Sequence, residues 1–137
     1  MSDIFFERSY AIVRWDHEFS GVYFELHSFT QGEAFREVFD KALELLQARQ
    51  ASCWMIDLSK LPVVSLTDQD WLAQDWIPRC FTAGLAHSAV IRPESILAQM
   101  GMTRLNNLLE PAAANYPIFS SAEAGRQWLV DTMNSPA

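Results

Sequence analysis

The stretch Ser52-Cys-Trp-Met-Ile-Asp-Leu-Ser-Lys-Leu61 decides how the chain is read. It has the look of a short buried strand that ends on Asp57 and opens toward a helix start rich in Trp and Asp. An α/β domain usually gathers its ligands at the carboxyl ends of its strands, so Asp57 and Ser59 mark a candidate working surface. A location follows from this, and a reaction does not.

Working backward, Thr30 to Gln50 carries Phe35, Val38, Phe39, Ala42, Leu43 and Leu46 at helical spacing among charged residues, which predicts an amphipathic helix. Thr30 with Glu33 fits a capping box, and Glu37 with Lys41 is an i,i+4 pair worth about 0.3 kcal/mol. Tyr10-Ala-Ile-Val-Arg-Trp15 and Val22-Tyr-Phe-Glu-Leu-His27 flank Asp16 to Gly21 and predict two antiparallel strands. Arg14, Glu25 and His27 give them a wetter face or edge. Ile4 to Phe6 either extend the sheet or cover it.

Working forward, Pro62 ends the strand, and Thr67 with Asp70 is a second capping signature. Trp71, Leu72 and Trp76 share a face of the next helix; Pro78 limits its run and Gly84 marks its end. His87-Ser-Ala-Val-Ile-Arg92 predicts a strand, with Pro93 in the first turn of a helix carrying Ile96, Leu97, Met100, Leu105, Leu108 and Leu109. Gly101 weakens that helix by about 1 kcal/mol relative to Ala. Tyr116-Pro-Ile-Phe119 is a brief extended piece, and Ser120 with Glu123 starts a last helix with Ala124, Trp128, Leu129 and Met133 facing inward. Strands alternating with helices from residue 22 onward predict an α/β fold, its later strands parallel and joined by right-handed crossovers.

The 137 residues, half of them hydrophobic, suffice for one core, so residues 1–137 read as a single domain. Seventeen acidic against ten basic residues give a formal charge of -7, and the basic residues are scattered. No footprint for a phosphate backbone results, which argues against nucleic acid and against anionic membrane surfaces. Cys53 and Cys80 form neither a CxxC unit nor a disulfide framework, and they read as reduced, packed thiols. The opening residues lack the basic start and apolar run of a signal peptide, and no uncharged stretch reads as an integral membrane span. The expected location is cytoplasmic.

The order strand, strand, helix, strand, helix, strand, helix, short strand, helix resembles the STAS domain, and more closely the bacterial SpoIIAA-like, STAS/SEC14-type proteins. The likeness is carried by Trp54-Met-Ile-Asp-Leu-Ser-Lys-Leu61, by Asp70-Trp-Leu-Ala-Gln-Asp-Trp-Ile-Pro-Arg79 with Gly84-Leu-Ala-His-Ser-Ala-Val-Ile91, and by Phe119-Ser-Ser-Ala-Glu-Ala-Gly-Arg-Gln-Trp-Leu129. The resemblance implies one STAS-like domain with a mixed four- to five-stranded sheet flanked by helices. It also implies a non-enzymatic regulatory or protein-interaction role, or, on the SEC14 side, a carrier or sensor of a small apolar or lipid-like ligand. The family's antagonist proteins carry an Asp-Ser-Ser/Thr-Gly segment whose hydroxyl a partner kinase phosphorylates. Here that place reads Val64-Ser-Leu-Thr-Asp-Gln-Asp-Trp71, so the phosphoswitch does not carry over. Ser65 and Thr67 are the hydroxyls available for phosphorylation, but a phosphate there would sit beside Asp68 and Asp70; Thr67 reads better as a helix cap.

Little supports catalysis. Asp57 could serve as a base, a metal ligand or a partner contact, and acidic residues also commonly end strands and cap the loop that follows. Asp68, Asp70 and Asp75 suit a helix start electrostatically and lack the spacing of a calcium loop. No His-x-x-x-His or Cys/His cluster, Gly-x-Ser-x-Gly elbow or glycine-rich phosphate loop occurs, and His17, His27 and His87 are dispersed. No metal or cofactor is expected. Among five Trp, nine Phe and three Tyr, Phe35, Phe39 and Trp128 read as packing, whereas Trp71, Trp76 and Phe81 follow the strand-to-helix connection where a pocket or groove would form. The expected partner or ligand surface therefore comprises Asp57, Ser59, Ser65, Thr67, Asp70, Trp71, Trp76 and Phe81. Its occupant is a protein partner or, alternatively, a small apolar ligand, and a homodimer would help to cover so many aromatics.

Overall fold

In the computed structural model, which describes residues 3–135, the strand that opened the reading is β4, Cys53–Asp57, buried at all five positions. It is flanked on both sides by parallel neighbours, β3 (Gly21–Leu26) and β5 (His87–Ile91). Beyond β3 lie β2 (Ala11–Asp16) and β1 (Ile4–Arg8), both antiparallel; beyond β5 lies the two-residue parallel β6, Ile118–Phe119. The sheet is thus mixed and six-stranded in the order β1-β2-β3-β4-β5-β6, against an expected four or five. The edges account for the difference. In β1 only Phe6 is buried, so alternation there is faint, and β6 is too short to leave a periodic signal.

The helices are α1 (Glu33–Ala48), α2 (Leu66–Trp71), α3 (Ile77–Thr82), α4 (Ile96–Leu108), α5 (Pro111–Ala114) and α6 (Ala122–Asn134). The crossovers from β3 to β4, β4 to β5 and β5 to β6 all advance in one direction, so right-handed connections put α1 to α4 on the same side. Alternation along β4 sends Trp54 and Ile56 to that side and Cys53, Met55 and Asp57 to the other, where α6 packs Leu129 against Met55, Ala89 and Ile91.

Helix starts differ from the sequence reading in consistent ways. Gly32 caps α1 at φ 65°, a backbone shape open to glycine, while Thr30 is buried and does not cap. Ser65 rather than Thr67 caps α2, accepting from Asp68 N at 3.1 Å, and Ser121 rather than Ser120 caps α6. Ser95 caps α4, so Pro93 precedes that helix instead of starting it. Lys41 pairs with Glu44 at 3.2 Å, not with Glu37, which faces Arg8. Ala124 is exposed. Pro78 does not stop its helix: α2 passes through a widened π turn at Leu72–Trp76 into α3, and such a turn is one way a helix accommodates a proline. Gly84, at φ 99°, follows the end of α3 as expected.

A charge cluster fastens the β2–β3 turn to α6. Asp16 accepts from the amides of Glu18 and Phe19 at 2.9 and 3.3 Å and pairs with Arg126, which also reaches Glu18 at 3.1 Å. Burial pushes the Asp16 carboxyl up, but the Arg126 guanidinium and the two amides outweigh it and hold it below the usual carboxylate range. Its contribution is therefore complete above the ordinary carboxyl pKa and is lost as the pH falls through the lowered value. The stability difference between the wild type and Asp16→Asn is expected to narrow on acidification below about pH 4, checked by urea unfolding at a series of pH values.

Candidate functional site

Between the sheet face carrying Trp54, Ile56 and Val90 and the layer of α2, α3, α4 and α5 lies a cavity of about 390 Å³, within the range of small-molecule sites. Its origin is legible in α4. That helix packs mainly against α2 and the π turn rather than on the sheet. It turns Ala98, Gly101, Met102 and Leu105 toward the cavity, a set too small to fill the space. Three of its large apolar residues point away instead, Ile96, Leu97 and Met100, exposed by 73%, 62% and 62%.

Polar contacts hold α4 in place. Gly101 lies so close to Gln69 that an added Cβ would come within 3.0 Å of Nε2, so the glycine that weakens the helix also allows the contact. Arg104 donates to Gln69 Oε1 at 3.1 Å and to Asp70 Oδ1 at 3.0 Å. Tyr116 donates to Asn106 at 2.7 Å and ties the chain after α5 back to α4.

The cavity wall is aromatic. Leu72, Trp76 and Cys80 project from one side of the α2–α3 segment, and all three are buried. The Trp54 and Trp76 rings stack at 5.2 Å and 3°. Phe39 meets Trp76 edge-on at 4.8 Å. The indole N–H groups of this stacked pair are satisfied, Trp76 by Phe39 O at 2.9 Å and Trp54 by Ser88 Oγ at 3.0 Å. Burial pushes the Cys80 thiol far up, so it is neutral at physiological pH; Cys53, on the opposite face, is pushed up to about 11 by burial and then by the Asp16 charge.

The two ends of the cavity differ. At the carboxyl edge of the sheet the loops are tied together by Glu94 N to Ser59 O at 3.1 Å, Ser95 Oγ to Pro62 O at 2.6 Å and Gly32 N to Asp68 Oδ2 at 3.0 Å. The exposed lining residues are Phe81, Ala86, Ala112 and Asn115, from the end of α3, the approach to β5 and the α5–β6 connection. The mouth therefore opens at the amino edge. The carboxyl edge offers no comparable crevice, since such crevices form where strand order reverses and this sheet runs in one direction without a reversal.

Of the residues marked from sequence, Trp76 lines the wall and Phe81, half exposed, stands at the mouth. Asp57 and Ser59 lie apart from the cavity. Asp57 accepts from Ser59 N and Oγ at 3.0 and 2.7 Å and from Tyr23 Oη at 3.2 Å, and Tyr23 also donates to Glu25 at 2.8 Å. Burial, and then these carboxylates, keep the Tyr23 phenol neutral. Ser65 is spent on its cap and on Asp68 Oδ2 at 2.7 Å, Thr67 is exposed, and Asp70 holds Arg104. Trp71 lies outside the cavity with the guanidinium groups of Arg36 and Arg79 over its ring, at 5.4 and 5.8 Å.

Sequence reasoning passed over Ser88, Met102, Leu105 and Tyr116. Ser88 left a signal: within His87–Arg92 it shares inward parity with Val90 yet is polar. Among the described residues, no group of three or more His, Cys, Asp or Glu side chains is arranged to hold a metal, and no helix is long and apolar enough to cross a membrane. Comparison with protein-family models, curated proteins and solved structures gave no match.

Proposed function

We propose that this domain is a carrier or sensor of a small apolar molecule, held in the cavity between the Trp54–Trp76 wall and α4. The single observation that carries this is the cavity itself, about 390 Å³ of space walled by aromatic and aliphatic side chains in a chain otherwise rich enough in aromatics to pack solidly. The STAS/SEC14-type resemblance supports the same reading, in its carrier form.

The test is displacement-free binding of a neutral fluorescent naphthylamine, N-phenyl-1-naphthylamine, to the purified chain. Saturable binding with an enhanced, blue-shifted emission is expected. Leu105→Trp and Ala98→Phe, which place bulk in the cavity from the α4 side, should weaken that binding about tenfold or more while leaving the melting temperature equal or higher, because filling a void restores packing contacts. Unchanged affinity in both folded variants would count against the cavity as the binding site.

A second reading, a regulatory domain that engages a protein partner, is favoured by the exposed Phe29, Leu66, Ile96, Leu97 and Met100, which lie on segments that begin at the carboxyl edge. The two readings separate in the same variants. A partner held at that edge would stay bound when the cavity is plugged.

A further inference from the structure

We infer that the cavity selects an uncharged ligand, mostly apolar, with one hydrogen-bond acceptor such as a ketone, ester or amide carbonyl that receives the Ser88 hydroxyl. This rests on the binding role proposed above. Two observations carry it. First, no Lys, Arg, Asp or Glu lines the cavity, so a buried carboxylate, phosphate or ammonium would lose its hydration with no permanently charged side chain to replace it. Arg104 and Asp70, among the contacts that hold α4, pair with one another at 3.0 Å and lie outside the lining.

Second, the polar groups that do line it are unequally committed. Gln69 is engaged at both ends, by Val64 O at 2.9 Å and Arg104 at 3.1 Å, and Tyr116 donates its proton to Asn106. Asn115 is exposed at the mouth, and the His87 ring, half-buried, makes a T-shaped contact with Trp128 at 6.2 Å. Ser88 differs from Gln69 and Tyr116, and it stands on the sheet face at the cavity wall. Its oxygen accepts from Trp54 Nε1 at 3.0 Å, which leaves the hydroxyl proton to point elsewhere, and it donates to no acceptor among the described residues. An acceptor brought in by a ligand would complete a chain from indole N–H through hydroxyl to carbonyl, each bond polarising the next.

The experiment titrates the full chain, by quenching of tryptophan fluorescence, with three naphthalenes of one shape: 2-acetonaphthone, 2-ethylnaphthalene and 2-naphthoate. At neutral pH the ketone is expected to bind at least about tenfold more tightly than the carboxylate, which must shed its charge or its hydration. It should also exceed the hydrocarbon by about fivefold, the range of one net hydrogen bond. Ser88→Ala should erase the ketone's advantage over the hydrocarbon while leaving the hydrocarbon's affinity nearly unchanged, and Ser88→Thr, which keeps the hydroxyl, should preserve it. A carboxylate that binds as well as the ketone, or a ketone preference that survives in folded Ser88→Ala, overturns the inference and leaves the cavity reading standing. Failure of all three compounds to bind overturns both.

Discussion

Trp76→Ala is expected to destabilise the domain by about 3–5 kcal/mol, the cost of emptying a large buried aromatic position. The residue is 4% exposed, stacks flat on Trp54, meets Phe39 edge-on, and donates its indole N–H to the Phe39 carbonyl of α1. Truncation joins the lost indole volume to a cavity that already exists, so the neighbouring side chains have nothing to collapse onto. The measurement is equilibrium urea unfolding, where the midpoint should drop with little change in slope. Trp76→Phe, which keeps a ring but loses the N–H, should lose less. A Trp76→Ala protein within about 1 kcal/mol of the wild type would show that the indole does not bear on the core as described.

Asp68→Ala is the second large effect, about 2–4 kcal/mol, for a different reason: it removes a buried carboxylate that takes two hydrogen bonds and faces the partly exposed Arg36 guanidinium. Asp68 is 1% exposed, accepts from Gly32 N at 3.0 Å and Ser65 Oγ at 2.7 Å through Oδ2, and sets Oδ1 3.6 Å from Arg36 Nε. It therefore joins the start of α1 to the start of α2. Neither Oδ1 nor Arg36 Nε has a hydrogen-bond partner, so their mutual charge is what compensates their burial. Without Asp68, the Gly32 amide and the Arg36 guanidinium are left short of a partner. In a double-mutant cycle with Arg36→Met, the Asp68→Ala cost should shrink clearly, because the stranded cation is then gone. An equal cost in both backgrounds would place the effect in the Gly32 and Ser65 contacts alone. A domain of this size has about 5–15 kcal/mol to lose, so either substitution removes a substantial share of it.

How far the sequence carried the fold depends on how much of each signal was periodic. The amphipathic α1, the apolar β4 and the β2–β3 hairpin announce themselves, because many residues repeat one spacing. The helix caps were misplaced by one or two residues, since Thr30, Thr67 and Ser120 each sit near another residue, Gly32, Ser65 or Ser121, that takes the position, and neighbouring candidates cannot be ranked without the backbone. The site was legible only in Trp76 and Phe81. Acidic residues drew the reading to the carboxyl edge, where Asp57, Asp68 and Asp70 turn out to be hydrogen-bonded or paired within the protein. The cavity arises instead from what α4 and α5 lack on their inner sides, and a deficit of volume spread over Ala98, Gly101 and Ala113 leaves no motif.

The most direct test of the central claim is a methyl-resolved NMR titration of the labelled chain with 2-acetonaphthone. The account predicts saturating shifts concentrated at cavity methyls such as Leu72, Val90, Met102 and Leu105, with Ile96, Leu97 and Met100 on the outer side of α4 nearly unmoved. Shifts confined to those outer residues, or no saturable shifts at all, would contradict it.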